Sequence, residues 1–482
     1  MKLALPALPL LALVALLPAP ANGAEGRKPN VLFIAVDDLR DWVGYLGKNP
    51  QTKTPNIDRL AARGVAFTRS YCAAPVCNPS RAALMSGLRP STTGVYENNN
   101  DWRTVIPEDL PLTTAFRKAG YYVAGAGKIY HEAYRRRSEW DDYLDNEGGT
   151  RGARGRNEGV GGIRFAPLDG NDEDLPDYRI TSWCIEQLGK RHEKPFFLAC
   201  GLHKPHMPWI VPRKYFEMFP LDKIELPPHI AHDLDDVPPA GMQMAHRQGD
   251  HAAILASGRW KDAVQAYLAA IAYTDMNVGR LLDALDKSAY RDNTIICFWG
   301  DHGWHLGEKE HWRKFALWEE ATRSPLIWVA PGVTRSARSG GVCERTVDFM
   351  SIYPTLMDLC GIPTPKHVQG ESIRALLADP KARWDKPALT TYRFNNHSVR
   401  SEGWRYIRYA NDDEELYNER ADPNEWKNLA GLKEYADKKA ELAKFLPREN
   451  HPDIGRRGGA GGGTGRNQTR RQQRRARRRM TQ

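Results

Sequence analysis

Hydrophobic and polar positions fall into blocks along this chain, and the blocks alternate between two periods. Residues 29–36, Pro-Asn-Val-Leu-Phe-Ile-Ala-Val, form one continuous apolar run, the pattern of a strand covered on both faces. Similar runs at 65–71, 121–128, 195–201, 293–299 and 324–330 predict further strands. Helical patterns occupy 54–63, 112–119, 179–192, 259–287 and 348–360; Thr54-Pro55 opens the first as cap and first-turn residues, and Gly64, Gly120 and Gly361 act as stops. Residues 141–175 and 221–257 lack a clear period and are expected as long surface loops. From about residue 387 the texture changes to short alternating strands around a turn at Glu402-Gly403, followed by a helix over 432–445. Strands alternating with helices predict an α/β fold with a small C-terminal α+β subdomain.

The two chain ends differ from this body. Residues 1–23 have a basic tip, a short apolar region and small residues at the exit, which predicts a secretory signal peptide cleaved near Gly23. No later stretch approaches the roughly 18 apolar residues of a membrane span, so an exported protein with no membrane span is expected. The net charge of +10 is a property of the tail: residues 455–482 hold ten arginines and no acid, which leaves the rest near neutral. That location argues against a nucleic-acid-binding body and predicts a disordered Gly/Arg-rich extension over 451–482. The expected organisation is signal peptide 1–23, catalytic domain 24–386, C-terminal subdomain 387–450 and tail. Seven cysteines leave at least one unpaired in a monomer; Cys77 is the natural candidate, and export permits pairing among Cys72, Cys184, Cys200, Cys297, Cys343 and Cys360.

Candidate chemistry centres on residues 72–88. Cys77 precedes Asn78-Pro79-Ser80-Arg81 and an apolar helix, so Pro79 and Ser80 are expected as first-turn and cap residues with Cys77 at a helix N-terminus. Such an end suits an anion held beside a reactive side chain, and Arg81 adds a fork of donors. A Cys-based phosphatase would carry arginine six residues after its cysteine, but Ala83 and Asn78 stand there, and no Cys or His lies at zinc-site spacing. Elsewhere acids follow strands: Asp37-Asp38 after 29–36, and Asp301-His302 after 293–299. Adjacent carboxylates at the end of a central strand call for a cation between them. Lys128 and His131 end another strand, and His203-Lys204-Pro205-His206 a third.

The string Cys77-Asn-Pro79-Ser80-Arg81-Ala-Ala-Leu84-Met-Ser86-Gly87 resembles the sulfatase signature Cys-x-Pro-Ser-Arg-x-x-Leu-x-Thr-Gly, with Ser86 for the usual Thr. Together with Gly127-Lys128-x-x-His131, His203-Lys204-Pro205-His206 and Asp301-His302-Gly303-Trp304, it resembles most the iduronate-2-sulfatase group. The resemblance covers about residues 28–430 and implies an alkaline phosphatase-like fold, a large mixed sheet between helices. It implies that Cys77 is oxidised to formylglycine by a formylglycine-generating enzyme. Asp37, Asp38, Asp301 and the hydrated Cys77 would bind calcium, with His302 where many relatives carry an Asn ligand. Arg81 would hold the formylglycine oxygens, Lys128 and Lys314 the sulfate. His131 would take a hydroxyl proton to eject the bound sulfate, and His206, with His203 less favoured, would protonate or bind the leaving oxygen. A carboxylate ligand set favours a hard cation, and an aldehyde hydrate supplies oxygen where a thiolate is soft.

The expected substrate is a sulfated saccharide attacked at a chain end, with a 2-O-sulfated uronate following from the resemblance alone. Arg103, Lys204 and Arg313 are expected as spare cations for a carboxylate beside the sulfate, and Trp102, Trp304 and Trp312 as faces for a sugar ring. The alternatives are a phosphonate monoester hydrolase or phosphodiesterase on the same fold, and a non-catalytic polyanion binder acting through the tail. Oligomeric state is left open.

Overall fold

The computed structural model describes residues 28–131, 134–145, 158–246, 248–334 and 341–455. The expected signal peptide and nearly all of the basic tail lie outside the described residues. An eight-stranded sheet runs in the order Gly341–Asp348, Val65–Tyr71, Leu326–Val329, Thr294–Gly300, Asn30–Val36, Phe196–Leu202, Tyr122–Gly127, Asp142–Tyr143. The apolar run predicted to be covered on both faces is the fifth strand. Its alternate side chains enter separate cores, as the period of two demands: Leu32, Ile34 and Val36 meet the long helix Trp260–Lys287, while Val31, Phe33 and Ala35 meet Leu84, Phe116 and Leu356 of helices on the other face.

Leu326–Val329 runs antiparallel to both its neighbours, and every other pairing in the sheet is parallel. One consequence follows for the chemistry. The carboxyl ends of Asn30–Val36, Thr294–Gly300, Tyr122–Gly127, Phe196–Leu202 and Val65–Tyr71 share one edge of the sheet, so the polar residues after each strand converge there.

A second, antiparallel sheet of four strands, Ala388–Thr391, His397–Arg400, Trp404–Arg408 and Glu414–Asn418, packs on helix Ala436–Ala443 through Val399, Leu416 and Leu442. Arg405, wholly buried, and Arg400 tie this sheet to the main body through ion pairs with Glu319; within the subdomain Arg405 also pairs with Glu419 and Glu425, and Arg400 with Glu419. Burial alone would raise the Glu319 carboxyl, yet Arg400 and Arg405 hold it well below its usual range.

Several expectations are corrected. Within 141–175 the structure forms Asp142–Tyr143 at the sheet edge and Ile163–Leu168, which pairs in parallel with Trp209–Pro212. Within 221–257 lie helices Pro239–Ala245 and Asp250–Ser257, each too short for a legible helical period. Strand Gly341–Asp348 escaped notice because it is an edge strand with outward-facing Val342 and Glu344. The helix expected at 179–192 spans Pro176–Gly189, with proline in its first turn. Ser80 is not a cap: Val76 is, and the Ser80 hydroxyl donates instead to the Asp301 carbonyl at 2.6 Å. All seven cysteines are buried and free, so the pairing that export would permit is not formed.

Candidate active site

After strand Val65–Tyr71 the chain crosses to the sheet edge, Val76 stays extended, and helix Cys77–Ser86 begins at the cysteine itself and ends on Gly87 at φ 75°. Cys77 is fully buried. Its Sγ lies 2.9 Å from Lys314 Nζ, 3.3 Å from His302 Nε2 and 3.9 Å from Asp38 Oδ1. Burial, then the Asp37 charge, pushes the thiol well above its ordinary range. A thiol held protonated is a poor nucleophile. Asn78 fixes the helix start: its N–H donates to Asn98 Oδ1, and its Nδ2 to the carbonyls of Glu97 and Asn100 at 3.0 and 2.8 Å.

Three carboxylates and three cations meet around the cysteine. Asp37 and Asp38 follow the central strand; the Asp37 N–H donates to the Leu202 carbonyl, and Asp38, at φ 58°, donates its N–H to Asp301 Oδ1 at 2.9 Å. Lys128 Nζ contacts Asp37 Oδ2 at 2.5 Å, and Lys314 Nζ contacts Asp38 Oδ1 at 2.7 Å. Arg81, buried completely, donates Nε to Asp301 Oδ2 at 2.8 Å, pairs with Asp37, and donates to the Lys128 and Ile129 carbonyls. Burial would raise Asp37, but the Lys128, Arg81 and Lys314 charges hold it well below its usual value; Asp38 is raised by burial and by Asp37. Lys128 reaches this point because two glycines let adjacent strands close up. A Cβ on Gly127, at φ 78°, would sit 2.0 Å from the Gly201 carbonyl oxygen, and one on Gly201 would strike the Lys128 backbone.

Lys314 arrives on a constrained loop. Lys309, Glu310, Arg313 and Phe315 all have positive φ, a conformation that persists only where surrounding contacts enforce it. Those contacts are Arg313 to Asp250 at 2.7 Å, Lys309 to Asp233 at 2.7 Å, and His311 between the carbonyls of Ala245 and Lys314 at 2.9 and 2.7 Å.

The histidines rest neutral. Burial, joined by Lys128, pushes His131 down to about 3; burial lowers His206 and His302 as well. His302 Nδ1 faces the Gly303 carbonyl at 3.0 Å, so the neutral ring carries its proton there and turns the Nε2 lone pair toward Asp38 Oδ1 at 3.4 Å and Asp301 Oδ1 at 3.6 Å. A lone pair and carboxylates facing one another suit a cation between them. The ligand atoms of Asp37, Asp38, Cys77 and His302 lie within 4.8 Å of one another, and buried Asp38 Oδ2 lacks a hydrogen-bond partner. The donor set therefore fits a metal ion, with Asp301 beside it. His206 Nδ1 faces the Met207 carbonyl at 2.5 Å and its Nε2 lies 3.8 Å from Asp38 Oδ2, on the open side of the cluster.

The other residues expected at the substrate are buried or already paired. Trp102, Trp304 and Trp312 are 1%, 1% and 2% exposed, so none offers a face to a sugar. Arg103 stacks on Trp102 and pairs with Glu139, and Arg313 is spent on Asp250; neither is a spare cation. Lys204 turns inward to the His206 and Pro208 carbonyls, and burial pushes it down to about 8. His203 bonds Asp177 at 3.1 Å. Sequence motifs could not separate these roles, because a polar residue beside a site motif has the same signature whether it faces the cavity or braces it. Asn78, Asn98 and Asn100 were missed; the Asn98-Asn-Asn100 run was the available signal.

Such a site, a buried cysteine at a helix start amid carboxylates and cations at the carboxyl edge of an α/β sheet, defines a hydrolase of anionic esters. The chain belongs to the sulfatase family: the Sulfatase family model matches residues 29–362, and the model for N-sulphoglucosamine sulphohydrolase, C-terminal, matches 307–451. It is a sulfuric ester hydrolase. A sulfatase of Formosa agariphila is 38% identical over 453 residues, covering 88% of each chain. Iduronate 2-sulfatase of Homo sapiens is 30% identical over 478 residues, covering 81% of this chain and 86% of its own. The phosphonate monoester hydrolase of Agrobacterium radiobacter shares the fold with a TM-score of 0.72 at 22% identity, over 86% of this chain and 94% of its own.

Proposed function

We propose that this enzyme is an exported, calcium-dependent sulfatase that acts on sulfated saccharides after Cys77 has been converted to formylglycine by a formylglycine-generating enzyme. The observation that carries the reading is the position of Cys77. In a Cys-x-Pro-Ser-Arg string, its thiol is kept protonated, yet it stands 2.9 Å from the Lys314 ammonium and within 4.8 Å of two aspartates and a histidine lone pair. An aldehyde hydrate there presents a hydroxyl as nucleophile. Asp37, Asp38, Asp301 and His302 would hold the cation, which when bound supplies Lewis-acid neutralisation of charge on sulfate oxygens.

The remaining work falls to side chains of this chain. Lys128 and Lys314 present fixed ammonium groups to the sulfate in a water-poor site, where preorganised charge is most effective. His131, neutral at physiological pH, accepts a hydroxyl proton. His206, part-exposed with Nε2 3.8 Å from Asp38 Oδ2, binds the leaving oxygen; burial keeps its ring neutral against the pull of Asp37, so it protonates that oxygen only once it has gained a second proton. Arg81 holds Asp301 and Asp37 in place and orients the helix start. Support for a uronate ring comes from the likeness to iduronate 2-sulfatase, since Arg103, Lys204 and Arg313 are not spare cations.

The test uses enzyme co-expressed with a formylglycine-generating enzyme. Peptide mass spectrometry should find formylglycine at position 77. Sulfate release should be faster from a 2-sulfated uronate-ended disaccharide than from an aryl sulfate or a phosphonate monoester, and lost on chelation and regained with calcium. Fully active enzyme with unmodified Cys77, or preference for the phosphonate ester, refutes the reading.

A further inference from the structure

With the three tryptophans buried, the site needs another apolar surface if it is to hold a sugar ring, and the C-terminal subdomain brings one. The hairpin between strands Ala388–Thr391 and His397–Arg400 ends in Tyr392-Arg393-Phe394-Asn395-Asn396, and Phe394 is 40% exposed. Both its neighbours, Arg393 and Asn395, have φ 59°, so the tip is held in a conformation that non-glycine residues adopt at a cost.

Contacts on two sides tie this tip to the segments that carry Cys77 and Lys314. On one side Arg393 pairs with Glu97 at 2.8 Å, and the Glu97 carbonyl accepts from Asn78, the residue after Cys77. The Phe394 ring meets Tyr96 edge-on at 6.4 Å between centroids, and Tyr96 is itself anchored to the His451 carbonyl. On the other side Tyr392 packs against Phe315 at 6.3 Å, the residue after Lys314, whose ammonium touches Cys77. The tip thus bridges the two segments that deliver Cys77 and Lys314. Its exposed aromatic ring is fixed there by an ion pair, a backbone kink and a ring contact.

We propose that Phe394 is a specificity-determining residue whose ring packs against the apolar face of a pyranose in the sulfated substrate, while the sulfate occupies the Cys77, Lys128 and Lys314 site. This rests on the saccharide reading above. An aromatic face offers a sugar C–H surface area and little else, so it discriminates ring-bearing from ringless sulfate esters. Arg393 acts as a positioning residue through Glu97.

The experiment compares matured wild type with Phe394→Ala and Phe394→Trp on a 2-sulfated uronate-ended disaccharide and a sulfated neutral monosaccharide, with inorganic sulfate as competing inhibitor. In Phe394→Ala, kcat/KM for the saccharides should fall about tenfold, mostly through KM, and Phe394→Trp should restore it to within about threefold. The inhibition constant of inorganic sulfate, which needs only the cationic site, should be unchanged. Saccharide kinetics of Phe394→Ala within twofold of wild type overturn the assignment alone, as does an equal loss of sulfate inhibition, which marks a structural role. A wild type that cleaves no sulfated saccharide overturns the saccharide reading and this assignment together.

Discussion

Replacing Lys314 by Met removes one charge from a balanced, buried site while keeping most of the side-chain stem. Asp37, Asp38 and Asp301 supply three negative charges, and Arg81, Lys128 and Lys314 supply three positive ones, all buried. Without Lys314, the Asp38 carboxylate loses its 2.7 Å partner. Breaking one partner of a buried ion pair costs about 3–5 kcal/mol. Asp38 can avoid part of that cost by taking up a proton, since burial and Asp37 already raise it. The ammonium also lies 5.5 Å from the Trp304 ring centroid and 5.9 Å from that of Phe315, and these contacts go with the charge. Turnover should fall about 10²–10³-fold, the scale for removing one preorganised charge-stabilising group. The assay measures sulfate release with thermal unfolding, each with and without calcium. Calcium should raise the unfolding temperature of the variant more than that of wild type, because a site one positive charge poorer binds a cation better. A folded Lys314→Met enzyme within threefold of wild-type activity refutes the placement of Lys314 on the sulfate.

Trp102→Ala should destabilise the fold by about 3–5 kcal/mol by opening a cavity beneath Arg103, with KM of the folded fraction unchanged; a selective rise in KM would return Trp102 to the substrate. Arg405→Met leaves Glu319, Glu419 and Glu425 without their shared buried cation, and should loosen the C-terminal sheet, seen as faster limited proteolysis near 388–418 and a lower unfolding temperature. Asp275 caps helix Pro55–Arg63 from the long helix, accepting the Ile57 N–H at 2.8 Å, and burial pushes it up to about 6. The folded state therefore binds that proton more tightly than the unfolded chain, and stability falls as pH rises from about 4 to about 6, by up to about 1.4 kcal/mol per pH unit. Asp275→Asn should flatten that part of a urea-unfolding series taken from pH 4 to 7; an unchanged slope would assign the pH dependence elsewhere.

The sequence by itself determined the layout of this protein. Runs such as 29–36 and 293–299 must be covered on both sides, and the acids after them can only lie at strand ends, so Asp37, Asp38 and Asp301 were legible as a group before any contact was known. The Cys77 string was legible for the same local reason: a cysteine, a proline and an arginine at fixed spacing leave few conformations. Tertiary structure alone decided which polar side chains face the cavity. Arg103, Arg313 and Lys204 carry charges that look available in one dimension, but each has a partner distant in sequence or turns back on its own backbone. Tryptophans beside site motifs are buried because the core on that side extends to the site. Phe394 was invisible for the converse reason. Nothing local marks an aromatic residue at a hairpin tip, and the tip's link to the segments carrying Cys77 and Lys314 exists only because Glu97 and Phe315 come from elsewhere in the chain. Local pattern fixes which face of an element is buried; the partner across a gap of 200 or more residues is set by packing, as for Lys314 with Asp38 and Cys77, 276 and 237 positions away.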